Sequence, residues 1–365
     1  MSGQHSIRDS DWTLIGLALV ISTLGVLEIY SATRSTVWQD AHFRQMIWIG
    51  CGLVLMWLIS IVDYNWLVEH VYAFYVAGLI LLGLVAIFGE IVNGSRRWIS
   101  LPGGASIQIS EFLKVVLVLL VARFLGSLPR ERLTISALLQ IGGLFAVMTV
   151  LVAMQPDLST SLSYLPILAV GVFLVGLRWR FLAVLLVAAA LVLPIAWRQL
   201  KPYQKERLAT FMEPERDPRG SGYQPMQSKI AVGSGGVWGK GFASGTQTQL
   251  RFLPVPHTDF IFSAYAEETG FVGVALALTL YFAVLMRIVN NAQTASDNAG
   301  TLICMGVAAV ILFHLFVNIG MVSGLLPVVG VPLPLVSHGG TAVITLMAGF
   351  GILMAISTER RRVLF

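Results

Sequence analysis

The residues of this chain that could do chemistry lie where polar segments meet long apolar ones. Asp259 stands directly before an apolar run that begins at Phe260, and Pro254 and Pro256 keep its approach extended, because proline disfavours helix in the residue before it. A carboxylate at such a border is partly desolvated but still reaches water-borne groups, which suits a general base. The same position suits a helix N-cap, and residue type alone favours the cap.

A second pair of ionisable residues stands at the start of another apolar segment. Glu111 and Lys114 are three residues apart, so they lie on one face of a helix and can form an ion pair. Ordinary stabilisation of a helix end is one interpretation, but ionisable residues inside membrane segments are costly and usually functional. Ser110 is one residue too far from Lys114 for a Ser-x-x-Lys nucleophile, and no Lys-Thr-Gly follows, which excludes acyl transfer.

Three further places in the chain carry residues with both a structural and a functional interpretation. Arg97 and Trp98 could anchor the chain among lipid headgroups, or the arginine could bind phosphate oxygens. Asp157 precedes three hydroxyl residues, which is typical of a helix cap, and holding a basic residue or a sugar hydroxyl is its secondary interpretation. His338, before two glycines, is expected to be a turn residue, with no second histidine spaced to form a metal site.

The glycine-rich stretch 233–241 does not fit a phosphate-binding loop. Ser234 stands where the first glycine would be needed, and Gly241 follows Lys240 where Ser or Thr is required. We expect a flexible amphipathic loop near the membrane surface. Just before it, residues 227–232 predict a short amphipathic helix on the membrane that leaves Lys229 available to an anion.

Composition places these residues in a membrane protein. The 365 residues are 56% hydrophobic and 12% charged, whereas soluble domains are about 25% charged. A net charge of +5 bears on orientation and lipid contact, not on nucleic acid. Cys51 and Cys304 both lie inside apolar runs, so neither a disulfide nor a zinc site is expected.

The apolar runs predict an all-α integral membrane protein made of one domain, residues 1–365, with ten transmembrane helices. The predicted spans are 13–33, 45–62, 71–91, 111–126, 135–154, 160–177, 181–197, 260–287, 300–323 and 340–357. A large extracytoplasmic loop, 199–259, separates the seventh span from the eighth. The arginines of the short connections place both termini in the cytoplasm and this loop outside.

Taken in order, the motifs resemble the SEDS family of bacterial membrane proteins, and within it the elongation branch. The resemblance covers nearly the whole chain and rests on Arg97-Trp98-Ile99, Ser110-Glu111 with Lys114, Gln155-Pro156-Asp157-Leu158, Gln227-Ser228-Lys229, His257-Thr258-Asp259-Phe260, Ala266-Glu267-Glu268 and Val331-Pro332-Leu333-Pro334-Leu335-Val336-Ser337. The chain departs from the family pattern at Ile109, Ser159, Val255, Pro256, His338 and Thr341, and the change at 255–256 removes a charge near the expected base. None of these departures changes an ionisable residue of the predicted site.

The resemblance implies a peptidoglycan glycosyltransferase that polymerises lipid II into β-1,4 glycan strands for elongation and rod shape. Asp259 would be the general base on the acceptor hydroxyl, in an inverting reaction with no covalent glycosyl-enzyme. The lipid-linked pyrophosphate would face Arg44, Arg97 and Lys114, with Lys229 a weaker candidate. Glu111 and Asp157 would hold those cations, and Trp98 would pack at the cavity mouth.

The resemblance also implies the setting of the reaction. The chain would lie in the bacterial cytoplasmic membrane with its active site facing the periplasm. Its partners would be lipid II, the growing glycan strand, membrane lipids, the elongation machinery and a class B penicillin-binding protein that supplies transpeptidase chemistry, with no nucleic acid. No cofactor or metal ligand set is predicted, and whether Mg²⁺ or Mn²⁺ assists the leaving group stays open. A lipid II flippase and a non-catalytic scaffold are the rival functions.

Overall fold

The computed structural model describes residues 11–34, 36–92, 95–101, 105–128, 133–176, 202–213, 222–253 and 255–364, and single residues at 183, 187, 190, 191, 194, 198, 217 and 220. The described chain is predominantly helical. Its helices are α1 (Trp12–Thr33), α2 (Ala41–Ile61), α3 (Tyr64–Glu69), α4 (Val71–Phe88), α5 (Ile109–Gly126), α6 (Ile135–Met154), α7 (Leu158–Gly176), α8 (Pro202–Met212), α9 (Tyr223–Ser234), α10 (Thr246–Gln249), α11 (Ile261–Gln293), α12 (Asn298–Val322) and α13 (Gly340–Leu364).

Eight of the described helices are long and apolar enough to cross a membrane: α1, α2, α4, α6, α7, α11, α12 and α13. The predicted class of a multi-pass helical membrane protein is therefore confirmed. The seventh predicted span, 181–197, lies outside the described residues apart from isolated positions. The fourth, 111–126, corresponds to α5, which carries Glu111 and Lys114 and is not among the eight.

Helix α5 lies inside the bundle. It packs against α4, α7, α12 and α13, and most of its side chains are buried. A helix surrounded by other helices has no need of a uniformly apolar surface, because its polar side chains face protein and not lipid. This interior position explains why the fourth predicted span contains the polar residues Glu111 and Lys114.

A small antiparallel sheet between α4 and α5 was not predicted, so the all-helical expectation was wrong here. Its strands are β1 (Glu90–Val92), β2 (Ser95–Leu101) and β3 (Ala105–Gln108), in the order β1-β2-β3. Opposite pairs such as Trp98 with Gln108 and Ile99 with Ile107 set the register. The strands are short, and β2 and β3 contain arginine and serine between few apolar residues, so the sequence predicted a loop. The sheet carries Arg97 and Gln108 to the beginning of α5.

The glycine-rich stretch 233–241 begins as the last residues of α9 and continues as a turn in which Gly235 and Gly239 pack closely against α11, in place of the expected flexible loop. Helix α11 breaks at Gly270, which has a φ of 65°. The amides freed by this break are satisfied by the stretch, because Phe271 N donates to Gly236 O at 2.9 Å and Val272 N to Val237 O at 3.1 Å. A Cβ at Gly239 would lie 2.1 Å from Glu268 O, so only glycine permits this approach.

Two buried carboxylates of α11, Glu267 and Glu268, bind the residues that follow the glycine-rich stretch. Glu267 accepts hydrogen bonds from Lys240 Nζ at 2.7 Å and from the backbone N of Gln247 at 2.9 Å, while Glu268 accepts from Ala243 N at 2.9 Å. The segment 235–249 is therefore fixed to the beginning of α11, which directly follows Asp259.

We expect Gly239→Ala to destabilise the protein, because a Cβ would overlap the Glu268 carbonyl at a residue with a φ of 76°. Strain of this kind costs at least about 1–3 kcal/mol. Thermal unfolding of the detergent-purified protein should show an apparent Tm several degrees lower. Gly233→Ala is the matched control, because Gly233 lies in α9 with no atom within 4 Å of the added Cβ. Equal melting of both variants would contradict the close-packed turn.

Candidate functional site

Lys114 and Glu111 form a buried ion pair at the beginning of α5. The ammonium lies 2.8 Å and 2.9 Å from the two carboxylate oxygens, and the two residues are only 3% and 7% exposed. The three-residue spacing places both side chains on one helix face, as the sequence predicted. A charge this deep in a membrane bundle is tolerated because its partner neutralises it.

The ammonium of Lys114 has another partner, His314 of α12, which was not predicted as a site residue. Lys114 Nζ donates to His314 Nε2 at 3.0 Å, and His314 Nδ1 lies 3.0 Å from Pro332 O. A carbonyl oxygen only accepts, so Nδ1 carries the proton and Nε2 accepts from the ammonium, which makes the imidazole neutral. The available signal was an ionisable residue inside an apolar helix.

Asp157 binds Arg97 and also caps a helix, so both interpretations from the sequence hold. Its carboxylate lies 3.5 Å from Arg97 Nη1 and accepts from Thr160 N at 3.2 Å, at the first turn of α7. The side-chain amide of Gln108 is also hydrogen-bonded to it. Asp157 is buried, whereas the Arg97 side chain is 26% exposed, so the pair has one face open to a ligand.

Thr160 connects the two ion pairs. Its hydroxyl lies 3.0 Å from Asp157 Oδ2 and 3.5 Å from Glu111 Oε1. We refer to Arg97, Gln108, Glu111, Lys114, Asp157, Thr160 and His314 as the ion-pair network. It joins β2, β3, α5, α7 and α12, and its two cations balance its two carboxylates. Trp98 follows Arg97 on β2 and is half-buried opposite Gln108.

Asp259 lies apart from this network, in the bend before α11. Phe260 is the N-cap residue of α11, and no side chain caps it, so the capping interpretation is wrong. Asp259 is half-buried, and a Cβ at Gly330 would lie 3.2 Å from its Oδ2, so the carboxylate faces this glycine. Desolvation raises the pKa of Asp259, and the nearby charge of Arg207 opposes this rise.

A cavity of about 260 Å³ is lined by α8, α9, Gly220 and residues 324–328, and one of its wall residues, Arg207, is close enough to lower the pKa of Asp259. Two cationic residues, Arg207 and Lys229, contribute to its wall, together with Glu206 and Gln224. Lys229 is exposed and packs over Gly324, where a Cβ would lie 1.8 Å from its Cε. Lys229 therefore belongs with this cavity and not with the ion-pair network. Arg207 was not predicted as a site residue.

Arg44, exposed on α2, lies near a pair of histidines. The His257 and His338 ring centroids are 5.8 Å apart, and His338 N donates to His257 O at 2.9 Å. Burial lowers the pKa of His257 to about 4, and burial followed by the charge of Arg44 lowers that of His338. Both rings are neutral at pH 7. His338 lies in a bend just before α13, and the fold brings His257 beside it from a distant part of the chain.

The segment 330–338 connects the Asp259 bend with the ion-pair network. Asn318 of α12 donates to Val331 O at 2.7 Å and to Asp259 O at 3.1 Å. Ser337 Oγ donates to Thr258 O at 2.7 Å, and Pro332 O accepts from His314. The two groups of site residues therefore share one backbone support.

The described residues do not fit a metal site at these carboxylates. No group of three or more His, Cys, Asp or Glu among them is arranged to bind a metal ion. The oxygens of Glu111 and Asp157 already face Lys114, Arg97 and Thr160. Cys51 and Cys304 are both free, as the sequence predicted.

Comparison with known proteins identifies relatives that match this chain over nearly their whole length. The chain matches the sequence profile of the FtsW, RodA and SpoVE family, described as cell cycle protein, over residues 11–362. It is 42% identical to the peptidoglycan glycosyltransferase MrdB of Escherichia coli K12, over 96% of this chain and 94% of that protein. It is 31% identical to the peptidoglycan glycosyltransferase RodA of Treponema pallidum, over 98% and 99% of the two chains.

Solved structures share the fold over the same length. A chain of a peptidoglycan synthase complex that coordinates polymerization and crosslinking matches with a TM-score of 0.79 and 34% identity, covering 96% of this chain and 98% of that one. The rod shape determining protein RodA of Thermus thermophilus matches with a TM-score of 0.69 and 31% identity, covering 96% and 97%. This chain belongs to the FtsW, RodA and SpoVE family of cell cycle proteins.

Proposed function

We propose that this chain polymerises lipid II into β-1,4 glycan strands for cell elongation, with Asp259 as the general base. Relatives at 42% and 31% identity over nearly the whole chain are peptidoglycan glycosyltransferases, so this chain is one as well. The observation that supports the assignment of the base is the half-buried Asp259 carboxylate with a raised pKa, which feels the charge of Arg207 in the wall of a cavity. A flippase would need no general base.

In the proposed reaction the acceptor GlcNAc 4-hydroxyl attacks C1 of the lipid-linked sugar. The new C1–O bond forms as the bond to the diphosphate breaks, and the hydroxyl proton passes to Asp259. An α-linked donor then gives a β-linked product in one displacement. The raised pKa of Asp259 makes its carboxylate a stronger proton acceptor than an ordinary aspartate.

The leaving diphosphate carries negative charge that the basic residues would stabilise. Arg97 is the partly exposed cation of the ion-pair network, and Arg44 and Lys229 are exposed, so these three can reach a phosphate. Lys114 is buried and would contribute its charge from behind Arg97. In this proposal Glu111 and Asp157 hold the two cations in place, and Trp98 packs at the mouth of the site.

The proposed placement in the membrane follows from counting helices. Eight candidate spans, the buried α5 and the segment 181–197 together give the ten spans. An even number of spans would place both termini on one side, and the arginines of the short connections would make that side the cytoplasm. The loop 199–259 with Asp259 would then face the periplasm of a bacterial inner membrane. A class B penicillin-binding protein is the proposed partner, since one structural relative is part of a complex that couples polymerization to crosslinking.

Asp259→Asn should abolish most polymerisation, because the amide keeps the shape of the side chain but cannot accept the proton. General-base catalysis contributes roughly 10²–10⁴-fold. The measurement is glycan formation from labelled lipid II by purified protein, with unchanged thermal unfolding as the control for folding. Full activity of the variant would refute the assignment. Translocation of lipid II without polymer would indicate a flippase, and neither activity would indicate a scaffold.

The pH profile tests the environment of Asp259. The ionised carboxylate is the base, so activity should fall as the pH decreases through its raised pKa. The acidic limb of kcat/KM should therefore lie above about pH 4, the ordinary value for aspartate. Arg207→Gln removes a charge that lowers this pKa, so the limb should move to higher pH. Lys205→Gln, on the same helix, is the matched control. Superimposable limbs for Arg207→Gln and wild type would contradict this electrostatic pairing.

Arg97→Ala should weaken lipid II binding, because it removes a charge-assisted hydrogen bond that is worth about 1.5–3 kcal/mol, or roughly 10–100-fold. We expect a higher KM for lipid II with a smaller change in kcat. Arg96→Ala is the matched control, since adjacent strand residues face opposite sides and Arg96 Nη1 donates to Ile87 O at 2.8 Å. Equal KM values for the two variants would exclude a diphosphate role for Arg97.

A further inference from the structure

His314 bridges two parts of the site and has no role in the reaction described above. It lies on α12, 6% exposed, between the ammonium of Lys114 and the carbonyl of Pro332. Both ring nitrogens are hydrogen-bonded, one as acceptor and one as donor. A neutral imidazole is suited to this place, because an ammonium requires an acceptor and a carbonyl requires a donor.

His314 and Asn318 act on neighbouring carbonyls of one segment. They are four residues apart, so they lie on the same face of α12. His314 binds Pro332 O, and Asn318 binds Val331 O at 2.7 Å. Asn318 also donates to Asp259 O at 3.1 Å. The backbone at 331–332 is therefore fixed at two consecutive carbonyls, next to the bend that carries the base.

A displacement of the backbone at 331–332 would also move Asp259. Gly330, the residue before the two carbonyls, packs against the Asp259 carboxylate, where an added Cβ would lie 3.2 Å from Oδ2. Ser337, at the other end of the segment, donates to Thr258 O at 2.7 Å. The Asp259 bend thus rests on a segment whose middle is held by His314.

We propose that His314 is a positioning residue that couples the Lys114–Glu111 ion pair to the segment 330–338 and thereby fixes the Asp259 base relative to the donor-binding cations. The proposal rests on the proposed function. It explains why a histidine lies within an apolar helix. The same ring orients the Lys114 ammonium toward Glu111 and holds the Pro332 carbonyl.

The test compares His314→Leu with His314→Gln in lipid II polymerisation by the full-length purified protein. Leucine fills space without polar atoms, whereas glutamine supplies one acceptor for Lys114 and one donor for Pro332 O. A misplacement of about 1 Å can cost 10²-fold, so we expect His314→Leu to lower kcat at least about 10-fold, with KM for lipid II within about 2-fold. His314→Gln should recover kcat to within about 3-fold of wild type.

The pH profile provides a readout that a merely structural role would not change. If His314→Leu moves Asp259 relative to its surroundings, the acidic limb of kcat/KM should shift, and His314→Gln should restore it. Wild-type kcat and an unshifted limb in His314→Leu would overturn the proposal, as would a His314→Gln variant as impaired as His314→Leu. His70→Leu, at an exposed histidine of the α3–α4 junction, is the control and should retain wild-type activity.

A further variant keeps the test decisive if His314→Leu does not fold. Asparagine is too short to reach both partners, so His314→Asn should lower kcat where His314→Gln does not, and equal activity of the two would overturn the proposal. Asp259→Asn in the same assay separates the two levels of inference. An active Asp259→Asn would refute the proposed base, whereas an inactive Asp259→Asn beside a fully active His314→Leu would refute only the coupling.

Discussion

The pairing of charges inside a membrane bundle is the constraint on which the rest of this structure depends. Lys114 is buried among helices, where an unpaired ammonium would be prohibitively costly. Glu111 neutralises it from the same helix, and Asp157 neutralises Arg97 from another. Because these partners come from α5, α7 and a β-strand, satisfying the charges also fixes how these elements are placed. The architecture around the site is thus a consequence of electrostatic neutralisation.

The proposed base is governed by a different balance. Asp259 is neither ion-paired as deeply as Asp157 nor fully solvated. Burial raises its pKa, and the nearby charge of Arg207 opposes that rise, so the carboxylate is a stronger base than an ordinary aspartate. Separating the base from the ion-pair network has a chemical advantage, since a carboxylate tightly bound to an arginine or lysine is a poor proton acceptor. The segment 330–338 contacts both the Asp259 bend and His314 of the ion-pair network, so it fixes the position of the base relative to that network.

The backbone near the base is supported from both sides. On one side, Glu267 and Glu268 anchor the segment 235–249, whose glycines pack against the break at Gly270. On the other side, Asn318 and Ser337 hold the carbonyls of residues 258 and 259. A catalytic group on a bend needs such support, because binding geometry must be held to within a fraction of an ångström.

The sequence by itself determined the helical membrane class, the Glu111–Lys114 pair and the capping role of Asp157, because hydropathy and spacing along a helix are local properties. It did not disclose the three-stranded sheet, the close-packed glycines or the placement of Lys229 beside the Asp259 cavity. His257 and His338 are 81 positions apart, and Lys114 and His314 are 200 apart, so no local pattern marks them as neighbours. Only the tertiary structure decided these contacts, since they depend on which helix faces pack together, and that is settled by the mutual burial of residues distant in the chain.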